Sequence, residues 1–221
     1  MVITTPNLAQ DLVRIHKVIT RGLEVSLSKG TEYLQAGFPQ PQVLLGYSSY
    51  THCLASVFGS HHQGEDLIFF PEFRKLIPSV PYGRLSNEHR AIEMRLVLIS
   101  QAITDLSGNN QQNGLRMIVD TLGKISRIWV PHIQMEERYF SGETLNAVMD
   151  LEQQRRISEA ASKYSQEHSG PPFWVVPFVL YNLGDEDRAS MAATFPPEIM
   201  DELISNVWKD QWAPMKPLLL D

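Results

Sequence analysis

Three times this chain sets a glutamate four residues after a histidine: His61–Glu65, His89–Glu93 and His132–Glu136, with one more histidine, His16, upstream. On an α-helix, positions i and i+4 share a face about 6 Å apart, so both side chains of such a unit can reach one point. The apolar residues near these units keep helical period. Leu8, Leu12, Ile15, Ile19 and Leu23 recur in steps of three and four, as a core-facing stripe does. Histidine and glutamate aimed together from several helices are what a transition-metal site in a helical bundle requires.

The punctuation of the chain divides it into four long helices and a tail. The first helix is expected from Asn7 to Ser28, opened by Thr5-Pro6 as cap and first turn, with Gly30, Gly37, Pro39 and Pro41 in the loop that follows. The second runs from Pro41 toward Phe70, where Pro71 bends or ends it. The third starts at Ser86 as N-cap and ends near Ser107-Gly108-Asn109-Asn110. The fourth covers Gly114 to Glu137, and Pro131 inside it either kinks it just before His132 or splits it in two. Beyond it come a polar helix from Leu145 to Gln166, an apolar stretch from Phe173 to Leu183, a last helix from Pro196 through Trp208, and a strap, Trp212 to Pro217, whose tryptophan and methionine call for burial. No β-alternation is sustained. The expected fold is all-α: a four-helix up-down bundle over residues 1–145, with a C-terminal helical extension, 146–221, packed on it.

Composition removes several alternatives. A net charge of -6 with interspersed signs is not the basic stripe of a nucleic-acid binder. No stretch is long and apolar enough to span a bilayer. The start, Met1 to Pro6, lacks the basic residues and apolar run of a signal peptide, and the one cysteine, Cys53, suits a reducing compartment, so a cytoplasmic setting is expected.

Helices in up-down order bring His16, His61, Glu65, His89, Glu93, His132 and Glu136 to one level of the bundle. Unpaired, such groups would carry a large desolvation penalty, which metal coordination removes. Four histidines and three glutamates suit two ions better than one closed structural zinc. An oxo or hydroxo bridge, two bridging carboxylates and five terminal ligands leave a six-coordinate pair one open position for a small molecule. Imidazole and carboxylate donors without thiolate favour iron, with manganese or zinc as alternatives. His62, about 100° round the helix from His61, is a substitute ligand should Glu93 point away, and Tyr139 shares a face with Glu136. Asp66 and Glu137 read as solvated groups or as supports of the ligands; His52 reads as structural and His168 as surface.

These residues resemble the hemerythrin-like family, also called the HHE cation-binding domain. The motif is a histidine on helix one, His-x₃-Glu on helices two and four, and a histidine on helix three. The stretch from His61 to Pro71, ending in Phe-Pro, is especially similar to the family's second-helix motif, and the resemblance covers about residues 8–145. It implies a non-haem di-iron centre with Glu65 and Glu136 as bridging carboxylates and His16, His61, His89 and His132 as terminal ligands. It also implies a small diatomic molecule or peroxide as the partner. Glu93 departs from the pattern, because members that bind O₂ reversibly have histidine there. A third carboxylate stabilises Fe(III), which disfavours oxygen carriage and leaves peroxide, nitric oxide or redox-sensing chemistry. As an enzyme the protein would be a di-iron oxidoreductase consuming peroxide or nitric oxide; the alternative is an iron- or redox-sensing or oxygen-binding module without turnover.

Overall fold

A computed structural model describes residues 7–106, 108 and 110–221, so the Thr5-Pro6 start and two residues of the loop after the third long helix lie outside the described residues. Helix α1 spans Leu8–Ala36, capped by the Asn7 side chain, which accepts from the Gln10 amide at 3.1 Å. It runs past the expected end at Ser28 because its inward stripe continues through Ser26, Gly30 and Tyr33. It stops at Gly37, whose φ of 76° few other residues adopt. Helix α2 spans Pro41–Gly64 and passes into a π-helical turn, Glu65–Phe69, before α3, Phe70–Leu76. Helix α4, Tyr82–Leu106, begins a turn earlier than Ser86: the amides of Arg84 and Leu85 bond the Pro81 carbonyl, and the Ser86 hydroxyl turns to Asp66 instead of capping. Helix α5, Gln111–Tyr139, continues unbroken through Pro131.

Around the bundle α1 packs on α2, α2 on α4, α4 on α5, and α5 back on α1, closing a ring. The fold is all-α, with no strand among the described residues. Its apolar core is in two parts. One holds Val18, Ile19, Leu54, Phe58, Ile92, Ile125 and Trp129; the other holds Leu8, Leu12, Phe70, Phe73, Leu85, Phe140 and Leu145. On every long helix the candidate ligands fall between the two parts, so a polar layer crosses the bundle.

The extension follows: α6 (Gly142–Val148), α7 (Leu151–His168, with a capping box between Asp150 and Gln153), α8 (Pro172–Tyr181), α9 (Asp185–Ala192), a second π-helical segment (Ile199–Val207), α10 (Lys209–Trp212) and a 3₁₀ strap (Ala213–Leu218). The strap lies along α2. A Cβ on Gly46 would overlap the Pro214 carbonyl oxygen, so glycine permits the approach. Met215 is buried against Cys53, and the Tyr50 hydroxyl donates to Asn182 at 2.5 Å. Arg14 and Lys17 of α1 both pair with Asp187 of α9. No helix of the described residues is long and apolar enough to cross a membrane.

Candidate metal centre

Each long helix delivers its ligands through the phase of its inward stripe. On α5 the buried positions are Leu122, Ile125, Trp129, His132 and Glu136, so the step after His132 is four residues and Glu136 faces inward. On α4 they are Leu85, His89, Ile92, Leu96 and Ile99. The step after His89 is three, which puts Ile92 in the core and turns Glu93 to the flank. Glu93 is half-buried and stands outside both ligand groups described below.

Helix α2 behaves differently. From Pro41 to Gly64 it has no Asp, Glu, Lys or Arg, and it is buried nearly all round. Adjacent residues can therefore both be interior. His61 points toward α1, its ring 5.2 Å from that of His16. His62 points toward α4 and stacks on His89 at 4.1 Å. The missing charge along α2 is the sequence signal that identifies His62.

Two ligand groups result, His62–Glu65–His89–His132 and His16–His61–Glu65–Glu136, each with donor atoms within 4.8 Å of one another. Glu65 belongs to both. Glu136 turns Oε2 to His16 at 3.4 Å and Oε1 to His132 at 3.3 Å and His89 at 3.6 Å. Of the expected ligands the structure brings together His16, His61, Glu65, His89, His132 and Glu136, and adds His62. All seven side chains are at most 7% exposed. Tyr139 is half-buried under Arg138 and outside both groups, His52 lies beside Trp174, and His168 stacks on Tyr164.

The closest pairs of inward donors stand from 3.1 Å apart, between Nε2 of His89 and Nε2 of His132, to 3.6 Å, within groups that span up to 4.8 Å. Octahedral ligands about 2.1 Å from an ion lie about 3.0 Å apart along an edge, so the spacing suits coordination. Hydrogen bonding leaves the cluster unfulfilled. Among the described residues, buried polar atoms without a partner include Nε2 of His16 and His61, both nitrogens of His62, Oε2 of Glu65 and both oxygens of Glu136; outside the cluster only Arg14 and Arg21 contribute one each. Native interiors rarely tolerate such a concentration, and a bound cation resolves it.

The outward nitrogens are handled separately. Nδ1 of His16 donates to Glu137 at 2.9 Å and Nδ1 of His132 to Glu88 at 3.0 Å. Nδ1 of His89 lies 3.1 Å from Asp66, off the line of a straight hydrogen bond. These carboxylates present Nε2 of each ring to the interior and make it a better donor. Burial opposes the charged form of His89, yet Asp66 and Glu136 outweigh it and lift its pKa to about 9; Glu136 and Glu137 likewise raise that of His16. Burial, reinforced by the neighbouring histidines, holds His61 and His62 well below the usual range, so both are neutral donors at pH 7. Burial and the nearby Glu136 and Asp66 push Glu65 well up, whereas Glu136 is buried too but His132, His16 and His89 hold it well down. Trp129 walls one side, its ring 5.3 Å from His16 and 6.0 Å from His132. Glu65 also borders an apolar cleft lined by Leu8, Leu12, Phe70, Phe73 and Phe140 that is too narrow for a water molecule.

No curated protein and no solved structure matches this chain. A family model, the hemerythrin HHE cation-binding domain, matches residues 7–143, the stretch that carries both ligand groups. With well over half of its length covered by that match, and with its buried His/Glu cluster fitting a metal centre, the chain belongs to the hemerythrin HHE cation-binding family.

Proposed function

We propose that the cluster holds two iron ions and that the protein binds or reacts with a small oxidant: O₂, nitric oxide or peroxide. The observation that carries this reading is a pair of ligand groups sharing Glu65, with Glu136 turned to both. Glu65 and Glu136 would be shared by both ions; His62, His89 and His132 would hold one, His16 and His61 the other. Five imidazoles and two carboxylates would supply the protein's share of the ligands and would leave room for a small molecule at the pair. When bound, the iron pair supplies redox chemistry and a place for a diatomic ligand.

The chain's own residues set the terms of that chemistry. His62 in place of Glu93 leaves two carboxylates beside the pair instead of three, so the charge argument against oxygen carriage falls away. Asp66, Glu88 and Glu137 orient three of the rings. Trp129, Phe58, Phe70 and Phe140 keep water from the layer. Loading with Fe(II), elemental analysis and absorption spectra under O₂, nitric oxide and peroxide test the reading. About two irons per chain and a new absorption band with at least one oxidant are expected; bound iron that responds to none of them overturns it.

One feature favours sensing without turnover as a second reading. Arg14 and Lys17 flank His16 and both hold Asp187 of the extension, so a shift of that turn of α1 reaches α9 directly. Limited proteolysis of residues 145–221 with and without iron checks it: equal digestion rejects it.

A further inference from the structure

Between α4 and α5 a surface groove of about 450 Å³ opens beside the centre. That volume is in the range of small-ligand sites. Arg84 projects from one wall and Arg127 from the other, and Ala91, Ile128 and Pro131 supply an apolar floor. No carboxylate among the described residues pairs with Arg127. The Arg127 guanidinium, a second guanidinium shared with Glu88 and an apolar floor match a small organic anion bearing a ring.

The groove is also joined to the centre. Glu88 lines it, accepting from Nε of Arg84 at 2.8 Å on one oxygen and from Nδ1 of His132 at 3.0 Å on the other. Glu137 accepts from His16 and Asp66 stands beside His89, but neither lines this groove. We propose that the groove binds a small aromatic or ring-bearing organic anion, and that Glu88 transmits its occupancy to His132. An anion that draws Arg84 to itself leaves Glu88 with the imidazole N–H as its main partner. The tighter hold makes His132 a stronger donor to whatever its Nε2 ligates. The binding half of this inference is independent of the metal; the transmission half rests on the di-iron reading.

The test uses the full chain as purified, with 4-hydroxybenzoate as probe and its methyl ester and inorganic phosphate as controls, followed by calorimetry. The hydroxybenzoate binds, the ester does not, and phosphate, lacking the ring, binds more weakly. Arg127→Gln weakens the probe by about tenfold or more while iron content stays unchanged. In the iron-loaded chain, saturating probe shifts the absorption band of the centre. In Glu88→Gln, which keeps the size of the side chain but not its charge, the probe still binds and the shift is lost. No probe binding, undiminished binding in Arg127→Gln, or equal affinity for ester or phosphate overturns the site, and a shift that persists in Glu88→Gln overturns the transmission. A chain that holds iron but ignores the probe sinks this inference alone. One that binds the probe without iron sinks only the reading of the centre.

Discussion

An imidazole has two nitrogens, and a ligand must commit one of them. His16 and His132 are committed by carboxylates at Nδ1 and His89 has Asp66 3.1 Å from its Nδ1, whereas neither nitrogen of His62 has a carboxylate or other partner. His62→Ala is therefore expected to lower bound iron from about two ions per chain to about one, because it strips the half of the cluster that it shares with His89 and His132. Glu93→Gln should leave the iron content unchanged, and elemental analysis of the two variants separates the roles. Asp66→Asn, which removes the charge beside His89, should weaken iron binding about 10–100-fold in a chelator competition without changing stoichiometry; unchanged affinity would mean that Asp66 plays no part in orienting the ring. The His-x₃-Glu spacing exposes most of the cluster in the sequence but treats all three units alike. What separates them is the phase of each buried stripe. Leu85, Ile92, Leu96 and Ile99 already indicate that position 93 leaves the core. His62 escapes a spacing argument because its helix lacks the polar face that would normally exclude one of two neighbours.

At the scale of elements, each long helix alternates apolar, ligand and apolar stretches, and this brings the polar layer to one level. The long helices were readable from period and punctuation, while the C-terminal end of α1 and the start of α4 were not. Gly30 breaks helices in isolation, yet the inward stripe carries α1 past it to Ala36. Ser86 has the chemistry of a cap but its hydroxyl is engaged by Asp66. Of the glycines, Gly46 leaves the least room for a Cβ, because the Pro214 carbonyl of the strap stands where one would go. Gly46→Ala should push Pro214 off α2 and destabilise the protein by about 1–3 kcal/mol in denaturant unfolding, although alanine is the better helix former. A neutral or stabilising result would show that the strap yields at little cost.

For the whole molecule, the two apolar cores are separated by buried groups that hydrogen bonding within the protein leaves unsatisfied. Removing iron should lower the unfolding free energy by about 3–4 kcal/mol for each ion lost when free metal stands at a hundred to a thousand times its dissociation constant. Thermal melts with and without chelator read this directly; coincident melts would mean that the layer is stable without its ions. The wrapping of α2 has a different consequence. This uncharged rod meets α7, α8 and the strap on the sides that its bundle partners leave bare. Cut off after residue 145, the chain would carry a naked greasy stave into water and should come down as aggregates on expression, so the catalogue of ligands in the first two-thirds describes a unit that needs the remaining third to stay dissolved.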